Sequence, residues 1–356
     1  MPIYDQSYKR WEGSFKSHSF RWWVISKYGI KTALKNKWVK RLLIFSLLPF
    51  LLYAFWVYGL MQKRALTKFL PPLQGVRAMR EMSGKVYRVQ IEGAPELFLD
   101  KLRKQGLRSE VTGSELKITV PDGENSKSIR AIAKQTATKI SRLVPPGVEA
   151  SFYNQYLNWL FIFLFLLLLV VGSGLVSKDV KFNALQIYLA KPITAIEYIL
   201  GKLGIVVFFL VMITLVPGIL LFLLQAILIG DSLYLRYYWW VPGAICGYSL
   251  LMVFSGALIV LALSAFSRNV WTAAIGAAAV LWFSPMVAGL LWRLTWNDKD
   301  LLLSLRHNWN RVGDKIFGLS GIMDVPWGWS FLIVLGIMVL CAVALVRRVR
   351  AVQVVK

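Results

Sequence analysis

The chain has 356 residues, 57% of them hydrophobic, a mean hydropathy of +0.55 and a formal net charge of +24. That apolar content lies far outside an ordinary soluble globular composition. Its two cysteines, Cys246 and Cys341, both fall in apolar runs, and its two histidines, His18 and His307, are far apart, so neither a disulfide framework nor a Cys-type zinc site is supported.

Residues 1–41 are polar and basic, with ten Lys/Arg against two acids. Within them Trp22, Trp23, Tyr28 and Trp38 interleave with Arg21, Lys27, Lys31, Lys35 and Lys37. Aromatic rings at headgroup depth with cations toward anionic lipid predict an amphipathic helix at the cytoplasmic interface. No apolar core precedes Leu42, so the first span is expected to act as its own insertion signal.

Apolar residues then gather in six runs: Leu42–Leu60, Leu157–Val176, Leu203–Ile229, Val241–Phe266, Val270–Trp292 and Trp329–Val346. Each approaches the ~20 residues that a helix needs to cross a bilayer. None contains Asp, Glu, Lys, Arg or His. Their length and all-round apolarity exclude the alternating strands of a barrel. The predicted fold class is an α-helical polytopic membrane protein of about six spans, with a small α+β domain inserted between spans one and two.

That insert is residues 62–156. Val86–Ile91 alternates as a strand, Pro95–Gln105 reads as a helix, and Leu107–Val111 with Leu116–Val120 reads as a hairpin around Thr112-Gly113-Ser114. Ile129, Ile132, Ala133, Thr136, Ile140 and Leu143 mark one face of a second expected helix, giving the order β-α-β-β-α with room for a last short strand. Spans two to six occupy residues 157–346, with a cytoplasmic loop 177–202, an external loop 294–328 and a basic tail 347–356. Basic residues cluster at the N-terminus, in the loop after span two and at Arg347, Arg348 and Arg350. The positive-inside rule assigns those flanks, and so both termini, to the cytoplasm. By parity the insert lies outside. The charge therefore reads as topology, and no nucleic-acid partner is expected. Trp296, Trp309, Trp327 and Trp329 in the external loop are expected to form an aromatic belt at the membrane surface, with an interfacial helix in 301–317.

The loop after span two carries the functional signal. Val180, Ala184, Ile187 and Tyr188 are expected on one surface of a short helix, with Asp179 near its start, Lys191 near its end and Pro192 breaking it. Glu197, Tyr198, Gly201 and Lys202 lead into span three. A helix held under two spans suits a groove in a soluble partner.

The pattern Asp179…Leu185…Tyr188-Leu189-Ala190-Lys191-Pro192-Ile193-Thr194…Glu197-Tyr198…Gly201-Lys202 closely resembles that of ABC-2-type ABC transporter permeases. The opening Tyr4-Asp5…Trp11-Glu12-Gly13 and Arg21-Trp22-Trp23 resembles the start of one bacterial branch of that family. The resemblance covers most of the chain except 62–156. It implies a bacterial inner-membrane permease, most simply an exporter, whose loop 177–202 is a coupling helix. It further implies two copies of a cytoplasmic ABC ATPase that carry ATP and Mg, and a second permease chain, either identical or a related paralogue. The chain has no G-x-x-x-x-G-K-[ST], which fits ATP hydrolysis on a separate subunit and no cofactor on this one. The insert departs from compact family members; a role in contacting an extracytoplasmic partner or gating exit is expected. Its tail, Arg142-Leu143-Val144-Pro145-Pro146…Glu149…Phe152, also resembles the C-terminal accessory domain of some ABC ATPases, and shared ancestry would call for a cytoplasmic position.

Three other classes compete. An ion-coupled secondary transporter or channel needs ionisable residues within its spans, and the runs have none. A membrane-embedded enzyme would draw on His307 with Asp298, Asp300 and Asp314. An ATPase-coupled envelope scaffold that moves no substrate shares every feature above.

Overall fold

Backbone in lipid has no water to bond, so an uncharged run must satisfy its own N–H and C=O groups. The computed structural model describes residues 21–69, 85–92, 96–104, 107–112, 115–120, 129, 132–133, 136, 139–144, 149–184, 193–321 and 325–354. Among them six helices are long and apolar enough to cross a membrane: Lys37–Gly59, Ala150–Lys181, Ala195–Ile229, Val241–Phe266, Val270–Thr295 and Trp327–Arg350.

In chain order, α1 (Arg21–Lys35) leads into α2 (Lys37–Phe69), which holds the first span. Asn36 sits between them, and its carboxamide oxygen accepts from the Trp38 N–H at 2.9 Å, starting α2 anew. The strands β1 (Lys85–Glu92), β2 (Arg108–Thr112), β3 (Glu115–Val120) and β4 (Lys139–Val144) follow, with α3 (Glu96–Lys104) between β1 and β2. They pair antiparallel in the order β2-β3-β1-β4.

β4 corrects one expectation. Ile140 and Leu143 lie on a strand beside β1, not on the face of a second helix. Ile132 and Ala133 are helical and are buried with Ile129 against Tyr87, Val89 and Ile118. An unpaired β1 edge would expose a row of N–H and C=O groups. Pairing across Arg88↔Val144 to Glu92↔Lys139 satisfies them and outweighs the local helical period. Neither Pro145 nor Pro146 lies within the described residues.

The spans follow as α4 (Ala150–Lys181) and α5 (Ala195–Ile229). A short α6 (Ser232–Tyr237) links α5 to α7 (Val241–Phe266). Then come α8 (Val270–Thr295), a 3-10 turn at Asp298–Leu303, α9 (Leu305–Ile316) and α10 (Trp327–Val354). α4 and α7 form the centre, and α2, α8 and α10 present mostly exposed apolar side chains, as lipid-facing helices do. One π turn interrupts α4 at Leu168–Gly172 and another interrupts α8 at Ala279–Phe283. At the first, Gly172 admits Val260 of α7: an added Cβ would lie 2.7 Å from its Cγ1. One turn on, the Ser264 hydroxyl accepts from the Val176 and Ser177 N–H groups at 3.2 and 2.9 Å and donates to the Ser173 carbonyl at 2.7 Å. A polar side chain of α7 thus bonds the backbone of α4 directly, just past the π turn.

α9 is the second difference. Leu305, Asn308, Trp309, Val312 and Gly313 form one buried face at helical spacing. Trp309 packs 6.0 Å from the Phe161 ring and against Gly256, just past the middle of α7, while Gly313 meets Tyr248 nearer the start of α7. α9 therefore dips along the bundle to about half its depth. Trp309, expected in a surface belt, is buried there because it occupies the apolar face of an amphipathic helix. Trp296, Trp327 and Trp329 are exposed.

Candidate functional site

Of the residues singled out in the loop 177–202, Asp179, Glu197, Tyr198, Gly201 and Lys202 lie at the end of the bundle where α4 stops and α5 starts. Asp179 lies in the last turn of α4, not at the head of a separate helix. No breaker intervenes between Val176 and Lys181, so the span simply continues until Phe182 and the left-handed Asn183 (φ 53°). Leu185, Tyr188, Lys191 and Pro192 lie outside the described residues.

α5 begins with a signal already present in the sequence as Thr194-x-x-Glu197. The Thr194 side chain accepts from the Glu197 N–H at 3.2 Å, and the Thr194 N–H donates to the Glu197 carboxylate at 2.8 Å. This capping box makes Glu197 a structural residue at the helix start and fixes where Tyr198 and Lys202 point.

Those two side chains meet Asp179. The Lys202 ammonium lies 2.7 Å from Asp179 Oδ2, and the Tyr198 hydroxyl donates to the same oxygen at 2.7 Å. Lys202 also sits 5.5 Å from the centroid of the Tyr198 ring. The pair is mostly withdrawn from solvent, with side chains 10% and 16% exposed. One carboxylate thus staples the exit of α4 to the entry of α5.

α1 locks onto the same turn. Ser26, fully buried, donates to the Gly201 carbonyl at 2.9 Å. Gly201 and Gly204, one turn apart, let the two backbones approach: a Cβ on Gly201 would lie 2.7 Å from Ile25, and one on Gly204 would lie 2.5 Å from Ser26 Oγ. Gly29 answers from α1, against Ile205. This is the small-residue packing that lipid-embedded helices use in place of a hydrophobic drive. Trp22 contributes its carbonyl to the contact, whereas Trp23, Tyr28 and Trp38 are exposed, and Arg41 lies over the Trp38 ring at 5.3 Å. Of the interfacial aromatics, three face outward and one faces the bundle.

Between α1, α4 and α5 lies a cavity of about 660 Å³ whose walls include Tyr28, Asn36, Lys178, Asp179 and Lys202. Ser26 and Gly204 were not singled out in the sequence, and Thr194 figured only within the family pattern. The capping box was available as a spacing, but the Gly201 carbonyl that Ser26 meets lies 175 positions away.

The other candidate cluster does not assemble. Asp298 accepts from the Trp292 indole N–H at 2.8 Å, Asp300 accepts from Thr295, and Asp314 accepts from the Asn154 amide at 2.9 Å. No group of three or more His, Cys, Asp or Glu that could hold a metal occurs among the described residues. Burial pulls the His307 imidazole below its ordinary value, reinforced by Arg306, and burial raises the Asp314 carboxyl against the opposing pull of Asn154 and Arg311.

The helices define the class, a multi-pass helical membrane protein. No protein-family model matches the chain, and no curated protein matches it.

Proposed function

We propose that this chain is the membrane-spanning subunit of an ATP-driven exporter of the ABC-2 type, coupled to a separate cytoplasmic ATPase through residues 177–202. The observation that carries the reading is the Asp179–Lys202–Tyr198 cluster together with the Ser26–Gly201 clasp. A load applied between Lys181 and Thr194 would reach α4, α5 and α1 as one unit, since ion pair, cap and close-packed glycines join them. Rigid connection is what transmission of a power stroke requires.

In this reading the basic end of the bundle is cytoplasmic, α1 lies in the interface, and residues 62–156 form an inserted α+β domain on the opposite side. The protein sits in a bacterial inner membrane with two ATPase copies, which bind ATP and Mg, and a second permease chain. The Tyr87 hydroxyl donates to Asp231 at 2.6 Å, so the sheet is fastened to the α5–α6 corner and is suited to follow movement of α5.

Co-purification tests the reading. Tagged protein should retain an ATPase bearing a P-loop, and joint replacement of Tyr188, Lys191 and Glu197 should weaken that retention. Full retention by the altered chain would remove the docking assignment. Thiol labelling of Ser109→Cys in intact cells tests the side of the insert, and labelling only after permeabilisation would move it inside.

A further inference from the structure

The first turn of α9 puts a cation where no described carboxylate pairs with it. Arg306 lies at the deep end of α9, its guanidinium 4.5 Å from the centroid of the Phe161 ring. A cation in the first turn of a helix also opposes the helix dipole, so local helix energetics give no reason for its position. Ionisable groups at membrane depth are costly and have a partner when retained.

Beside Arg306 is a cavity of about 320 Å³ between α4, α8 and α9. That volume falls within the ~300–1,000 Å³ common for ligand pockets. One wall is aromatic and already ordered: Trp282 stacks on Phe161 at 6.1 Å and on Phe165 at 5.3 Å. Ile162 and Trp159, both exposed toward the surroundings of the bundle, continue the apolar lining. The polar wall is Gln155 and Asn158. Asn158 accepts from the Tyr248 hydroxyl at 2.7 Å and donates to Asn154 at 3.4 Å, which leaves one amide hydrogen for a ligand. A guanidinium and two amides at one end, with an apolar wall that opens laterally at the other, match a molecule that is anionic at its head and hydrocarbon in its tail.

We infer that this cavity binds an anionic phospholipid, its phosphate held by Arg306 and Asn158 and one acyl chain laid along Trp282 and Ile162. Arginine presents a fork of donors that suits phosphate. A soluble anion would gain nothing from the aromatic wall, and a lipid without a phosphate, such as a diacylglycerol, would leave Arg306 without its partner. The inference stands apart from ATPase coupling, because the site lies in the other half of the bundle and involves none of residues 177–202.

The test uses the full chain, purified in non-ionic detergent without any ATPase, titrated with phosphatidylglycerol or with diacylglycerol of matched chains, which lacks the phosphate, and read by native mass spectrometry. One lipid should bind, about tenfold more tightly with the anionic headgroup, as expected for hydrogen bonds to a charged group. Arg306→Gln should erase the headgroup preference and Arg306→Lys should keep part of it. Ile162→Trp, which leaves the cation and fills the cavity from a half-exposed position, should weaken both lipids. Equal binding of the two lipids by the native chain, or an unchanged preference in Arg306→Gln, would overturn the inference. So would undiminished binding in Ile162→Trp, or displacement of the lipid by millimolar inorganic phosphate alone. None of these results bears on ATPase retention.

Discussion

Lys202 reaches from the second turn of α5 to Asp179 in the last turn of α4 and closes a 2.7 Å ion pair that also takes up the Tyr198 hydroxyl. The two residues are 23 positions apart, on opposite sides of the loop proposed to meet an ATPase. Their pairing turns two helix ends into one element.

Removing one partner of this cluster should cost more than removing both. Lys202→Ala leaves a largely withdrawn carboxylate with only the tyrosine, and a loss of about 3 kcal/mol is expected for breaking such a pair. The double replacement Lys202→Met with Asp179→Leu should recover much of that loss, since it restores neutrality and packing. Thermal unfolding of detergent-solubilised Lys202→Met, Asp179→Leu and the double replacement measures the difference; additive losses would argue against direct coupling.

Side chains added to the glycine seam should release α1. A Cβ on Gly201 meets Ile25 and the Trp22 carbonyl, the latter at 3.1 Å and unable to yield as a side-chain tip would. Gly201→Ala is expected to cost about 1–3 kcal/mol as overpacking, and Gly201→Val more. Proteolysis at Lys27 and Lys31 reports it: cleavage should accelerate in the variants while the spans remain intact.

Acid should loosen α9. His307 is held neutral by burial and by Arg306, so its folded value lies below the ordinary 6.5. The stability it contributes is present above 6.5 and is lost as pH falls through the folded value. Asp314 has the opposite sign: its folded value lies above 3.8, so the penalty of its ionisation disappears as pH falls through that raised value. Between pH 7.5 and 5.5 the histidine should dominate. His307→Gln should flatten the fall in Tm over that interval, and an equal fall in the variant would dismiss the assignment.

Tyr87→Phe should loosen the sheet from the bundle without unfolding the sheet. The lost 2.6 Å bond ends on Asp231, which also accepts from the Leu233 N–H at 2.9 Å as the cap of α6. A hydrogen bond to a charged group is worth roughly 1.5–3 kcal/mol. Hydrogen exchange should speed up across α6 and β1, whereas protection of β3 should persist.

The spans were legible because lipid imposes one rule on every residue of a run: about twenty apolar positions without charge, each independent of its distant neighbours. β1, α3 and the β2–β3 hairpin were legible for a related reason, since alternation and turn chemistry act within a few residues. β4 was not. Ile140 and Leu143 fit a helical period, and their strand exists through partners on β1 some fifty residues earlier. The capping box at Thr194 and Glu197 lay in plain view as a spacing, yet its consequence, the aim of Lys202 at Asp179, needs both helices.

The same division runs through the candidate sites. Composition and periodicity alone establish a membrane protein of six uncharged spans, because burial in lipid is a property of each segment. Uncharged spans, however, do not make an uncharged bundle. Folding brings Arg306, His307 and Asp314 beside those spans on a helix that reads as interfacial, part of an external loop. It also draws Ser26 onto Gly201, 175 positions further along the chain. Such contacts join residues with no shared local pattern, and their energy appears when the helices pack.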